Sequence, residues 1–71
     1  MLTLKQWRRA RDISQEKMAE LLGIHINTYQ KWEKGPEKIS VSVADKIISI
    51  LGIEPNDIIF KSDPAESEVT A

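Results

Sequence analysis

Apolar residues recur along this chain at three- and four-residue intervals in four successive stretches, the spacing that lines one face of an α-helix. In the first, Thr3 and Gln6 form a T-x-x-Q capping box at a helix start. Leu4, Trp7, Arg8 and Arg11 then share one face, and Lys5, Gln6, Arg9 and Ala10 lie elsewhere. Two arginines on the inward stripe must either find acidic partners or carry their charged ends out to solvent, because an unpaired buried charge is costly. Asp12 and Ile13 break the pattern, and Ser14 stands at the next N-cap with Gln15 and Glu16 in the first turn. Met18, Ala19, Leu21 and Leu22 form the buried face predicted for this second helix, and Gly23 falls where a left-handed residue is wanted. Ile24 follows as an apolar latch. Only His25 separates it from the third helix, so the two helices are expected to cross steeply, with the small Ala19 permitting close approach.

In the third stretch Asn27, Gln30, Lys31 and Lys34 fall within an arc of about 100°, opposite Tyr29 and Trp32, while Glu33 turns toward the core. A solvated polar face would account for such an arc. So would a surface fitted to DNA, since amides and lysines suit base edges and phosphates and no acid lies among them. Gly35-Pro36 ends the helix. A fourth follows, capped by Ser40 or Ser42, in which Val41, Val43, Ala44, Ile47, Ile48, Ile50 and Leu51 cover close to half the circumference. An arc that wide suits a helix central to a bundle or one touching a second subunit. After Gly52, Pro55 takes the favoured first position of an expected short fifth helix running through Ile58, Ile59 and Phe60. Three consecutive apolar residues cannot all face one small core, so one or two of them, with part of helix four, are candidates either for a homodimer contact or for partial burial under the tail. Residues 61–71 are acidic and broken by Pro64, which predicts disorder.

The chain has 71 residues, 41% of them apolar, no cysteine and one histidine, His25. One domain over residues 1–60 follows, with a thin core that neither disulfides nor a metal site can reinforce. No cofactor is implied. No apolar run approaches the ~20 residues of a membrane helix, which makes a cytoplasmic location the expectation. Net charge is −1, but residues 1–38 carry eight Lys/Arg against five Asp/Glu, or +3, and residues 39–71 two against six, or −4. A partner senses the local field, which is screened beyond ~8 Å at physiological salt, so the first half is compatible with a polyanion. Enzymatic function is not indicated: there is no cysteine, ligand cluster or Gly-rich phosphate loop, and acid pairs such as Glu16 and Glu20 read as surface charges.

Leu4, Trp7 and Arg8, then Ile13-Ser14-Gln15, Ala19, Gly23-Ile24, Thr28-Tyr29, Trp32-Glu33-x-Gly35, Leu51-Gly52-Ile53 and Asp57-Ile58 resemble the phage repressor and Cro family of helix-turn-helix proteins, also called XRE-type. The resemblance implies an all-α, five-helix, lambda-repressor-like fold, with the helix-turn-helix unit at residues 14–35. It implies that Gln15 binds a DNA phosphate and supports the start of the recognition helix, and that Ile26, Asn27, Gln30 and Lys31 face the bases. Thr28 matches a phosphate or sugar contact, and Lys34, Gly35 and Lys38 match phosphate-contacting positions. Arg8 and Glu33 match an internal ion pair. His25 departs from the usual Ser or Thr cap, and Ile26 is apolar where an amide or charged residue is common. Ile26 either touches a thymine methyl or turns inward beside Tyr29.

The function these readings imply is that of a Cro-like, phage- or prophage-type regulator, binding double-stranded DNA as a homodimer and repressing transcription, with no small-molecule ligand and no metal. An antitoxin or protein-binding adaptor on the same fold is the rival reading.

Overall fold

A computed structural model describes residues 2–60, and the predicted tail over 61–71 lies outside the described residues. The chain runs β1 (Leu2–Thr3), α1 (Leu4–Ala10), α2 (Gln15–Leu22), α3 (Ile26–Lys34), α4 (Val41–Leu51) and β2 (Ile58–Ile59), with single 3₁₀ turns at Pro36–Lys38 and Pro55–Asp57. Each α-helix starts where a side chain can take up a free backbone N–H. Thr3 and Gln6 form the reciprocal capping box of α1, and Ser14 caps α2 through the Lys17 N–H. Ser40, rather than Ser42, caps α4 by accepting from the Val43 N–H at 3.3 Å.

Helix ends follow the same local logic. Gly23 and Gly52 both lie in the left-handed region, at φ 70° and 67°, and there the chain folds back. The N–H of Ile24 reaches the Ala19 carbonyl at 3.0 Å and that of Ile53 the Ile48 carbonyl at 3.3 Å, closing both helices in the same way. Asp12 takes the equivalent left-handed place after α1, with φ 57°. Aspartate is among the few residues with a side chain that tolerate it.

The expected fifth helix is not formed, although the fold is mostly helical as expected. Among the described residues there are four α-helices, and the segment after Pro55 makes one 3₁₀ turn before extending into β2, which pairs in parallel with β1 (Leu2 opposite Ile58, Thr3 opposite Ile59). Pro55 does sit at the start of a helical turn, as its fixed φ favours. The residues that follow are β-branched, too few to sustain a helix, and close to β1, whose backbone groups need partners. Ile58 is 6% exposed and belongs to the core with Leu4, Met18, Ala19, Tyr29, Ile47 and Leu51. That burial removes Ile58 from the expected dimer-contact set and leaves Ile59 and Phe60 half-buried. Leu21, expected on the buried face of α2, is 48% exposed, and Val41 at the start of α4 is 80% exposed.

Two polar contacts fasten α1 to the later chain. Trp7 Nε1 donates to the Asp57 carbonyl at 2.7 Å, and Arg11 Nε donates to the Leu51 carbonyl at 2.9 Å. The Arg11 guanidinium also lies over the Trp7 ring, 5.0 Å from its centroid. Among the described residues Arg11 therefore meets no carboxylate: it lays its stem along the indole and satisfies a carbonyl at the end of α4.

Apart from its own chain neighbours, nothing lies within 4 Å of where a Cβ at Gly23 would stand, so substitution there costs only the left-handed backbone. Gly23→Ala should destabilise the domain by about 1–2 kcal/mol, read as a fall in Tm of several degrees with the folded-state helix content unchanged.

Candidate nucleic-acid interface

Gly23, Ile24 and His25 complete the turn between α2 and α3, and the α3 N-terminus is held by the residue that departs from the usual cap. His25 Nδ1 accepts from the Asn27 backbone N–H at 3.1 Å, so the imidazole performs the work of a Ser or Thr hydroxyl. This contact requires Nδ1 to carry no proton.

Below that start, the orientation of α3 is set by one carboxylate. Glu33 accepts from Arg8 Nε at 2.5 Å and from Tyr29 Oη at 2.5 Å through one oxygen. Its other oxygen accepts from Gln15 Nε2 at 3.0 Å and Arg8 Nη2 at 3.4 Å. Arg8 Nη1 adds a bond to the Ile13 carbonyl at 2.7 Å. The Arg8 and Glu33 side chains are 9% and 4% exposed, so this is an ion pair largely out of water. Burial alone would raise the Glu33 carboxyl, but hydrogen bonds from Arg8, Tyr29 and Gln15 outweigh it and hold the group below the ordinary carboxylate range. The Tyr29 hydroxyl is pushed far above its usual value by burial and by its bond to that carboxylate. For Arg8, burial opposes the charge, yet the Glu33 contact leaves it even more firmly protonated.

From this hub the polar network reaches the surface. Gln15 gives its amide N–H to Glu33, which turns its carbonyl outward, and that oxygen accepts from Gln30 Nε2 at 3.2 Å. Gln15 is half-buried and Gln30 exposed. Asn27, Thr28, Lys31, Lys34 and Lys38 are also exposed. Ile26 is half-buried and packs against the core while still lining the surface groove beside Gln15 and Gln30. Of its two expected positions, the inward one is therefore occupied in part.

Two grooves flank the polar arc of α3. Thr28, Lys31, Lys34 and Lys38 line one together with Trp32 and Gly35. The Lys38 stem crosses close to Gly35, where a Cβ would lie 3.6 Å from Lys38 Cδ. Gln15, Gln30 and Ile26 line the other, and there the structure adds Lys5 and Arg9 of α1. Sequence reading had placed Lys5 and Arg9 only as outside the inward stripe. Their i, i+4 spacing and the +3 charge of the first half were the available signals. Among the described residues, no group of three or more His, Cys, Asp or Glu side chains could hold a metal ion, and no helix is long and apolar enough to cross a membrane.

A helix-turn-helix family model matches residues 4–58, well over half of the chain. The protein belongs to the XRE-type helix-turn-helix family of DNA-binding proteins. No curated protein and no solved structure gives a significant match.

Glu33→Gln keeps the shape of the hub but leaves Arg8 buried without a counter-charge, and should cost on the order of 3 kcal/mol at pH 7. Because the folded-state carboxyl lies below its unfolded value, its contribution is complete above about pH 4.3 and is lost as pH falls through the lowered value. Denaturant titrations should show this acid loss diminished in Glu33→Gln. At the α3 cap, His25→Ala should cost about 1 kcal/mol and His25→Ser very little, measured by thermal unfolding at neutral pH.

Proposed function

We propose that the protein is a sequence-specific transcriptional regulator that represses by binding duplex DNA as a homodimer, with α3 of each subunit in the major groove. The observation that carries this reading is the α3 polar arc mounted on a buried hub, with Gln30 bonded to Gln15 and Gln15 bonded to Glu33. Base recognition needs side chains held in a fixed geometry, and an amide tethered through two hydrogen bonds to a buried ion pair is so held. In this role Asn27, Gln30 and Lys31 read base edges. Ile26 offers its exposed part to a thymine methyl. Gln15, Thr28, Lys34 and Lys38 contact the sugar–phosphate backbone, which fixes register without reading sequence. Half-sites related by two-fold symmetry would lie about 34 Å apart, one helical turn. The cytoplasm is the compartment where such a regulator works.

The exposed Leu21 and Val41 favour a second reading, an antitoxin or adaptor that meets a protein through apolar surface. In the regulator, the same Val41 end of α4 together with Ile59 and Phe60 is the available apolar surface for self-association.

Selection of bound duplexes from a random pool tests the proposal directly. Enriched sequences should contain an inverted repeat, and Gln30→Ala should lose about 1–3 kcal/mol on the selected site with little loss on random duplex, measured by fluorescence anisotropy. No enrichment, together with no binding to any duplex at low salt, would favour the protein-binding reading.

A further inference from the structure

The basic residues of the first half divide into those with partners inside the fold and those without. Arg8 is paired with Glu33, Arg11 with the Leu51 carbonyl, and Lys17 lies 3.8 Å from Glu20. Lys5 and Arg9 are exposed and have no hydrogen bond or ion pair among the described residues. They stand four residues apart on α1, on the same side of one helix, where like charges repel each other and weaken it. Both line the groove that also contains Gln15 and Gln30, and Lys5 alone continues into an adjoining cleft with Gln15, Gln30 and Lys34. The acids at this place are Glu16 on the groove rim and Glu33 beneath, the latter already neutralised by Arg8.

This groove and the one lined by Lys31 and Lys38 lie on opposite sides of the α3 polar arc. A helix seated in a major groove about 12 Å wide has a phosphate strand on either side. Building on the DNA-binding reading above, we propose that Lys5 and Arg9 form a second backbone-binding edge on α1, gripping the phosphate strand on the Gln15 side of α3 while Lys31 and Lys38 serve the opposite strand. The contact is with charge and not with bases, because both side chains belong to α1 and flank the arc from outside. It supplies affinity and register on any duplex.

The test is fluorescence anisotropy of the full chain on two labelled duplexes, one drawn from the random-pool selection and one of unrelated sequence, over a range of salt. Lys5→Gln and Arg9→Gln should each weaken binding about 5–10-fold at 0.1 M salt, to the same extent on both duplexes, and each should reduce the slope of log K against log salt by about 1. Lys46→Gln, which removes one exposed positive charge from α4, should leave the slope at its wild-type value. Thermal unfolding of all three variants should stay close to the wild type, since none of these side chains has a polar partner among the described residues. Wild-type binding with unchanged slopes in both α1 variants would overturn the assignment alone, as would a loss of slope equally large in Lys46→Gln. Absence of duplex binding by the wild type would overturn the functional reading and this edge with it.

Discussion

A carboxylate taken out of water must have its lone pairs met, and at Glu33 the donors that meet them come from three different helices. Arg8 reaches in from α1, Gln15 from the start of α2, and Tyr29 from one turn back on α3 itself. Apolar contacts alone would let these helices slide and rotate over one another at modest cost, because burial is non-directional. Four hydrogen bonds to two oxygens do not permit that freedom. The net worth of such a pair to stability is modest compared with a well-packed apolar substitute, because desolvation consumes much of the attraction. Its distinctive contribution is angular: it decides which side of α3 faces the protein, and so which side is left for a partner.

The rest of the domain keeps that arrangement from loosening at its edges. A core of seven buried apolar side chains among the described residues is small, and each helix compensates by being closed locally at both ends. β1 and β2 then bring the two ends of the described chain together, with Trp7 and Arg11 tied to backbone carbonyls of the later segment. Those ties hold α1 to the end of α4 and to the turn before β2. Arg8 is thereby presented to the hub by a helix that cannot easily turn.

What could be read from the sequence divides along the range of the interaction. Caps and helix ends were legible because they depend on residues three or four positions apart: Thr3 with Gln6, Ser14 with Lys17, and the glycines at 23 and 52. Leu21 was misassigned because periodicity gives a face but not the width of the neighbour that covers it. β2 was missed for a different reason. A two-residue parallel strand has no internal pattern, and its partner at Leu2–Thr3 lies more than fifty residues away, so Pro55 and three apolar residues read as the start of a helix. At the site, periodicity placed Arg8 on the inward face and showed that it needed a counter-charge or an exit to solvent. It could not select Glu33 across twenty-five positions, and only the family pattern suggested the pair. Lys5 and Arg9 could be placed only outside the inward stripe, because one helix alone cannot reveal which groove its polar side borders.

The same distinction between charge and geometry bears on how the interface would divide its tasks. Lysine ammonium groups on long stems act nearly as point charges, and they attract a phosphate backbone whatever its sequence. An amide acts only in direction, and an untethered glutamine can turn its oxygen and nitrogen end for end at little cost. Glu33 removes that ambiguity in two steps. It accepts only from the nitrogen of Gln15, so the Gln15 oxygen must face away, and that oxygen accepts only from the nitrogen of Gln30. Exposed Gln30 keeps its carbonyl and one N–H without a partner among the described residues, an acceptor and donor of the kinds that would match the N6 and N7 positions of adenine. A buried ion pair on the far side of two helices thus biases the hydrogen-bonding sense of a surface amide. The preference of this helix for one base over another would in that case be set partly by residues that never approach DNA.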